Sequence, residues 1–346
     1  VKKLFEYKDV DRCFYNDVIR DFLPGKIIDV HTHIWAKENI ERGQITAART
    51  VSWPSRVADE CSLEELRETY EILFPGKSVT PLVFAGLPER AGLDAYNLFV
   101  EKSVRGKNIP ALIFSDPAWS PEKLESEILS GSFCGVKSYL SLAREDIPVD
   151  DICIYDFFPK AHLKILNRHG LIAMLHLPRK KRLADPLNIS QLMEVERDFP
   201  DIKLIVAHVG RAYCKGDLGD AFKTLSKSKK MFFDFSANTN AFVFEELIKA
   251  LGPKRILFGS DMPITRMRMR RIEKDGIYVN IVPRGLYGDI SGDPNMMEVD
   301  GEAAARLSFF IYEEIAAFKE AAVKTGLSET DVEDIFYTNA KGIIGI

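Results

Sequence analysis

Two histidines one residue apart, His31 and His33, directly follow the apolar run KIIDV. On a β-strand, residues i and i+2 project to the same side. Two imidazoles on one side of a strand end can grip one metal ion at ~2.0–2.1 Å each. A lone His-x-His is weak evidence, since two polar residues in a loop give the same pattern. The weight changes because His176 ends LIAMLH, His208 ends IKLIVAH and Asp261 ends ILFGSD. Taken singly, His176 or His208 reads more readily as a core histidine bonded to backbone. Asp261, before Met-Pro, could simply start a turn. Taken together, the five residues describe a metal centre, with Asp261 as both ligand and proton acceptor for an activated water. His162 and His169 sit in the helical pattern FFPKAHLKILNRHG and read as structural. Asp29 shares the parity of His31 and His33 but lies deeper, where a structural hydrogen bond is the better reading.

Cationic stretches follow three of these positions. RKKR at 179–182 comes after His176, Arg211 after His208, and RMRMRR at 266–271 after Asp261. Such runs usually form solvated faces or ion pairs. Three at presumed ligand strands make an electropositive mouth an equal expectation. Arg211, with Arg179 and Lys137, would then hold an anionic small-molecule substrate, and at most two of the arginines at 266–271 would reach the site. Trp35 and Trp53 could wall the pocket or pack the insertion that carries them.

The elements that must position these residues alternate. Short apolar runs occur at 26–30, 79–85, 110–114, 134–140, 171–177, 202–209, 231–236 and 255–261. Most are β-branched or aromatic, as strands buried on both faces should be. Helical patterns lie between them at 62–74, 92–107, 121–131, 157–169, 188–199, 216–228 and 242–251, and again at 302–325 and 328–340. Ser62, Ser120-Pro121 and Asn188 read as helix starts. Gly131, Gly170 and Gly252 read as stops. Eight strands alternating with helices predict parallel βαβ units, and eight is the count that closes a (β/α)8 TIM barrel. A doubly wound open sheet is the other arrangement this pattern allows. In a barrel, an N-terminal helix precedes strand 1. Insertions follow strand 1 (about 34–61) and strand 8 (about 262–301), on the side where barrel enzymes keep their active sites. Residues 1–346 then read as one domain.

Composition narrows the class. The chain carries 47 Lys plus Arg against 51 Asp plus Glu, a net charge of −4, which speaks against a nucleic-acid binder. No run reaches the ~18–20 apolar residues that span a bilayer. The first 22 residues are charged throughout and lack the apolar run of a signal peptide. Five scattered cysteines, never in a CxxC pair, argue against a disulfide framework or a cysteine zinc site, so a cytoplasmic home is expected.

DVHTH after strand 1, His at strands 5 and 6, and GSDMP after strand 8 resemble the metal-dependent amidohydrolase superfamily. More narrowly, the chain resembles the amidohydrolase-related branch that includes aminocarboxymuconate-semialdehyde decarboxylase. The closing EDIFYTNAKGIIGI is similar to that branch's C-terminal tail. The resemblance covers about 26–346, and its force lies in the ordered set of motifs. It implies a (β/α)8 barrel holding a divalent metal, most often one Zn2+, with Mn2+ or a binuclear site as alternatives. His31, His33, His176 and Asp261 would be the ligands, and His208 would share acid/base work with Asp261. In binuclear relatives His176 and His208 hold a second metal, bridged by a carboxylated lysine on strand 4. Lys137 lies in CGVKSYL, where that lysine would be. It could be such a bridge, a cation for a substrate carboxylate, or the partner of a buried acid. The resemblance thus implies a metal-dependent hydrolase of a small acidic amide, ester or lactone. Nonoxidative decarboxylation of an unsaturated or aromatic acid is the alternative, since a Lewis acid can serve either chemistry. A binding barrel without turnover is the third reading. A homodimer is compatible with such barrels, and the surface pattern gives no guide to it.

Overall fold

The computed structural model describes residues 4–38, 56–86 and 90–346. Most of the expected strand-1 insertion, including Trp53, lies outside them. Eight parallel strands form a closed ring. β1 (Lys26–Ile34) is buried at every residue but its first. It pairs in parallel with β2 (Ser78–Ala85), with an irregularity between Asp29 and Thr32. A bridge from Val83 to Ala111 passes the ring to β3 (Leu112–Phe114). There follow β4 (Gly135–Ser138), β5 (Ile172–Leu175), β6 (Lys203–Val206), β7 (Phe232–Asp234) and β8 (Ile256–Leu257), each parallel to the last. The seam closes through a parallel Thr32–Met262 bridge and hydrogen bonds from Val30 N–H to Phe258 O (3.0 Å) and His33 N–H to Met262 O (2.8 Å). This is the expected (β/α)8 barrel.

Local chemistry explains its helices. α1 (Asp9–Phe14) is the expected N-terminal helix. α2 (Leu63–Leu73) starts at Ser62, whose hydroxyl accepts from Glu65 N–H while Glu65 reaches back to Ser62 N–H. α3 (Leu93–Val104) follows β2, and α4 (Pro121–Gly131) is capped by Ser120. α5 (Lys160–His169) stops at left-handed Gly170. α6 (Pro186–Asp198) is capped by Asp185 and not by Asn188, because Pro186 fits the first helical position and moves the start back. α7 is shorter than expected (Ala221–Leu225), and α8 (Ala241–Leu251) precedes β8. The pattern at 302–325 breaks, because Phe309 bridges Arg268 and only Phe310–Thr325 forms the long helix α9.

The insertion after β8 holds a small sheet that the sequence reading missed. β9 (Arg270–Lys274) and β10 (Ile277–Pro283) are antiparallel across Asp275-Gly276, both at positive φ as a two-residue hairpin turn requires. β11 (Met296–Val299) adds in parallel to β10. The barrel, its helices and α9 share one apolar core, and Met267, Met269, Val282 and Phe310 build a smaller one under the inserted sheet. All five cysteines are free, and among the described residues no helix is long and apolar enough to cross a membrane.

Candidate active site

The strands deliver their C-terminal residues to one small cavity, and several stop sooner than their apolar runs. β6 ends at Val206, and His208, Val209, Gly210 and Arg211 then all adopt positive φ (56°, 49°, 63° and 65°). This left-handed turn swings both His208 and Arg211 onto the cavity wall. β8 ends at Leu257, and Asp261 (φ 61°) turns back so that its N–H donates to His31 O at 2.8 Å. Left-handed conformations cost a non-glycine residue ~1–2 kcal/mol each, so the fold holds strain where the candidate residues sit. Gly210 is required twice. Its φ is left-handed, and a Cβ there would lie 2.5 Å from Leu183 Cδ1 and 2.9 Å from Leu177 Cδ1. Gly210→Ala is expected to cost about 1–2 kcal/mol, lowering the thermal midpoint by roughly 1–3 °C. An unchanged midpoint would show that the turn relaxes freely.

Three imidazoles are fixed through their inner nitrogens. His31 Nδ1 faces Asp234 Oδ2 at 3.0 Å, His33 Nδ1 faces Ala85 O at 2.7 Å, and His208 Nδ1 faces Ser236 O at 3.1 Å and Ser236 Oγ at 2.9 Å. A carboxylate and two carbonyls can only accept, so each Nδ1 carries the proton and each Nε2 is left as a bare lone pair. Metal-binding histidines are oriented in this way. Burial drives the pKa of His31 down to about 3, with the Lys137 ammonium adding to it, and burial also lowers His208. Burial opposes ionisation of Asp261, but the close approach of His33 and the neighbouring His208 and His31 imidazoles outweigh it and hold the carboxyl at about 2.

These atoms make a candidate divalent-metal site. One donor atom from each of His31, His208 and Asp261 lies within 4.8 Å of the others. Asp261 Oδ1 is also 3.2 Å from His33 Nε2 and 3.6 Å from His31 Nε2. Lone pairs facing at that distance repel unless a cation lies among them, so the donor set fits a divalent ion. His176 lines the same cavity, 5.3 Å ring to ring from His208, yet stands outside the closest group. Its Nδ1 is buried without a hydrogen-bond partner among the described residues, a costly state that a bound ligand would relieve. Lys137 is buried, with Nζ 3.0 Å from His31 Nε2 and 4.7 Å from the Phe84 ring centroid. Burial lowers its pKa to about 8, against the pull of Asp234 and Asp261.

Of the expected substrate cations, Lys137 and Arg211 line the cavity. Arg211 is steadied by Leu177 O at 2.9 Å. Arg179 stands away from it, because Asp185, the cap of α6, takes its guanidinium at 3.1 Å. The cationic mouth expected from the basic runs is corrected likewise. Arg182 pairs with Asp217, Arg268 with Asp11 and Arg270 with Glu313, so these charges hold loops together. His162 bonds Trp119 O and His169 pairs with Glu125, both structural as read. Trp35 is buried and packs over Gly86.

The sequence reading passed over Asp234. It is wholly buried, and its carboxylate accepts from His31, from His208 N–H (2.9 Å) and from Ser236 N–H and Oγ. Burial disfavours its charge, yet His31, His208 and Ser236 hold it well below the usual range. The signal was there: an acid inside the apolar run MFFDFS must have partners. The aromatic wall was missed too. Tyr139, Tyr213, Tyr278 and Phe114 enclose a cavity of about 110 Å³, on the scale of the ~150 Å³ cavity that holds benzene in another protein.

Glu314, on α9, is buried and accepts from Ala237 N–H at 2.7 Å. Burial, reinforced by Asp29, Asp234 and Asp261, pushes its pKa well above the usual range. A raised carboxyl pKa leaves stability intact below the unfolded value of ~4.3 and erodes it as pH rises beyond. Glu314→Gln keeps the acceptor and removes the charge. In metal-free protein its thermal midpoint should exceed the parent's at pH 8 and match it near pH 4. The same offset at both values would remove the ionisation argument.

The chain belongs to the amidohydrolase family, whose model matches residues 28–279. No curated protein sequence matches it. Among solved structures, 2,6-dihydroxybenzoate decarboxylase complexed with 2,6-dihydroxybenzoate is similar over 93% of this chain and 100% of that one, with a TM-score of 0.57 and 12% identity. A probable 2-pyrone-4,6-dicarboxylic acid hydrolase from Acinetobacter baumannii, with citric acid bound, is similar over 92% and 99% (TM-score 0.56, 13% identity). A dihydroxybenzoic acid decarboxylase from Polaromonas sp. JS666, with bound manganese and the inhibitor 2-nitroresorcinol, is similar over 93% and 97% (TM-score 0.54, 14% identity). At such identities the likeness speaks for the barrel alone.

Proposed function

We propose that this chain is a metal-dependent hydrolase acting on a small acidic amide, ester or lactone. The observation that carries the reading is the meeting of bare imidazole nitrogens with the Asp261 carboxylate at one end of a small cavity that also presents Arg211. His31, His33, His176 and Asp261 would hold one divalent ion, zinc first and manganese second. Such an ion supplies Lewis acidity, polarising a carbonyl and making water nucleophilic near neutral pH. The chain's own residues do the rest. Asp261 is ionised and accepts the proton that the attacking water loses. It returns that proton to the leaving nitrogen or oxygen as the acyl bond breaks. His208, its Nδ1–H held by Ser236, offers Nε2 to share the proton work. Arg211 offers a planar fork to the substrate carboxylate and fixes its approach.

Decarboxylation is the second reading, favoured by the aromatic walls. Tyr139, Tyr213, Tyr278 and Phe114 suit a flat unsaturated acid, and two similar structures are decarboxylases by name. A screen of small carboxylates, following acid release and carbon dioxide separately, tests both. Carbon dioxide release without hydrolysis would replace the first reading by the second.

Arg211→Met tests the anion reading. It should lower kcat/KM for an acidic substrate by on the order of 10²-fold, as losing a charge-assisted pair implies. The neutral amide analogue should lose far less. Equal losses would mean that Arg211 only braces the loop.

A further inference from the structure

Arg271 is a partly buried guanidinium in β9 that makes no ion pair among the described residues. Removing a charge from water without a counter-charge is costly, so its contacts call for an explanation. They run in two directions. On one side its Cζ lies over the rings of Tyr213 (4.9 Å) and Tyr278 (4.5 Å). Those rings meet edge to face at 5.1 Å, and both line the cavity. On the other side, Nη1 donates to Ala237 O at 2.6 Å while Nε donates to Asn280 Oδ1 at 2.8 Å.

Ala237 is no ordinary acceptor. It sits at φ 50°, with its N–H already taken by Glu314. Both polar groups of one left-handed residue are therefore held, by Glu314 on α9 and by Arg271 on the inserted sheet. The residue before it is Ser236, whose carbonyl and hydroxyl together receive the Nδ1–H of His208. A shift of the Ala237 peptide would turn the Ser236 carbonyl and free the His208 ring.

We infer that Arg271 is a positioning residue that joins the inserted sheet to His208, holding Tyr278 against the cavity on one side and the Ala237–Ser236 backbone on the other. This rests on the proposed function only in taking the cavity as the active site. The inserted sheet is then part of the site's machinery. Through one guanidinium, the wall that touches the substrate's far end and the imidazole at its reacting end share a support. Lysine is no substitute, because an ammonium lacks the planar fork that bonds two acceptors while stacking on rings.

The test uses the full-length, metal-free protein with 15N-labelled histidine rings, the His208 signal being assigned by its loss in His208→Gln. Arg271→Met should shift the His208 Nδ1–H signal or broaden it away. The signal of His162, bonded to Trp119 O, should stay in place. Tyr278→Leu removes the wall but not the Ala237 contact. It should leave His208 in place and weaken binding of benzoate, the probe, by about tenfold, a figure within the usual worth of an aromatic contact. Arg271→Met should do both. If Arg271→Met fails to fold, Arg271→Lys decides, with a smaller displacement of the same His208 signal expected. An unmoved His208 signal in the folded Arg271 variant, or an equal displacement in Tyr278→Leu, would overturn the inference. Absence of benzoate binding to the parent would count against the proposed function while leaving the histidine readout decisive.

Discussion

His176→Ala should lose bound metal and activity together, whereas His208→Ala should keep the metal and lose on the order of 10²–10⁴ in kcat. The contrast tests which imidazole completes the donor set. His208 is the nearer rival, since its donor atom already groups with those of His31 and Asp261. The hydrogen bonds separate the two. His208 is satisfied at Nδ1 by Ser236 and held by a backbone that also receives support from Asp234. That arrangement suits a group that must present Nε2 repeatedly to a substrate. His176 has a buried Nδ1 with no partner among the described residues and a ring resting on Tyr139 at 4.7 Å. It gains most from a ligand bond. Burial, with the Arg211 charge behind it, drives its pKa well below the ordinary value, so it is neutral and ready to donate a lone pair at any moderate pH. Metal content per chain after dialysis, read beside turnover, decides the matter. Loss of metal from His208→Ala with retention in His176→Ala would exchange the two roles.

The barrel was legible because its signals are local. Eight apolar runs, Ser62 and Ser120 as caps, and Gly170 as a stop each act within a few residues. The His-x-His pair was legible for the same reason, since strand parity alone puts both rings on one side. What escaped was decided by distant contacts. The runs 202–209 and 255–261 look like strands to their ends, but β6 stops at Val206 and β8 at Leu257. His208 and Asp261 then turn into left-handed backbone that only a packed neighbour can hold, as the Asp261–His31 hydrogen bond does. The basic runs misled because composition reports charge and not its partner. Asp185, Asp217 and Asp11 were already spoken for by Arg179, Arg182 and Arg268. Tyr278 reaches the cavity on a strand with no counterpart in the barrel pattern, although Asp275-Gly276 could have marked its hairpin.

Asp261→Asn should be the most damaging conservative change, lowering kcat/KM by on the order of 10³ even with metal restored. The backbone does not oppose the change, because asparagine accepts left-handed φ better than most residues. The φ of 61° and the N–H bond to His31 O should therefore survive. What changes is the charge. Among the described residues the carboxylate is the one anion facing the Nε2 atoms of both His31 and His33, at 3.6 and 3.2 Å. A neutral amide binds a divalent cation less well, so metal affinity should fall as well. Reconstitution with excess metal separates that loss from the chemical one. An amide oxygen cannot take up a proton near neutral pH, so the attacking water loses its base while every hydrogen bond that positions the site is kept. Full activity of the reconstituted variant would show that the proton goes elsewhere, and His208, whose Nδ1–H is anchored by Ser236 and whose Nε2 is not assigned to the metal as those of His31 and His33 are, would then be the group to receive it.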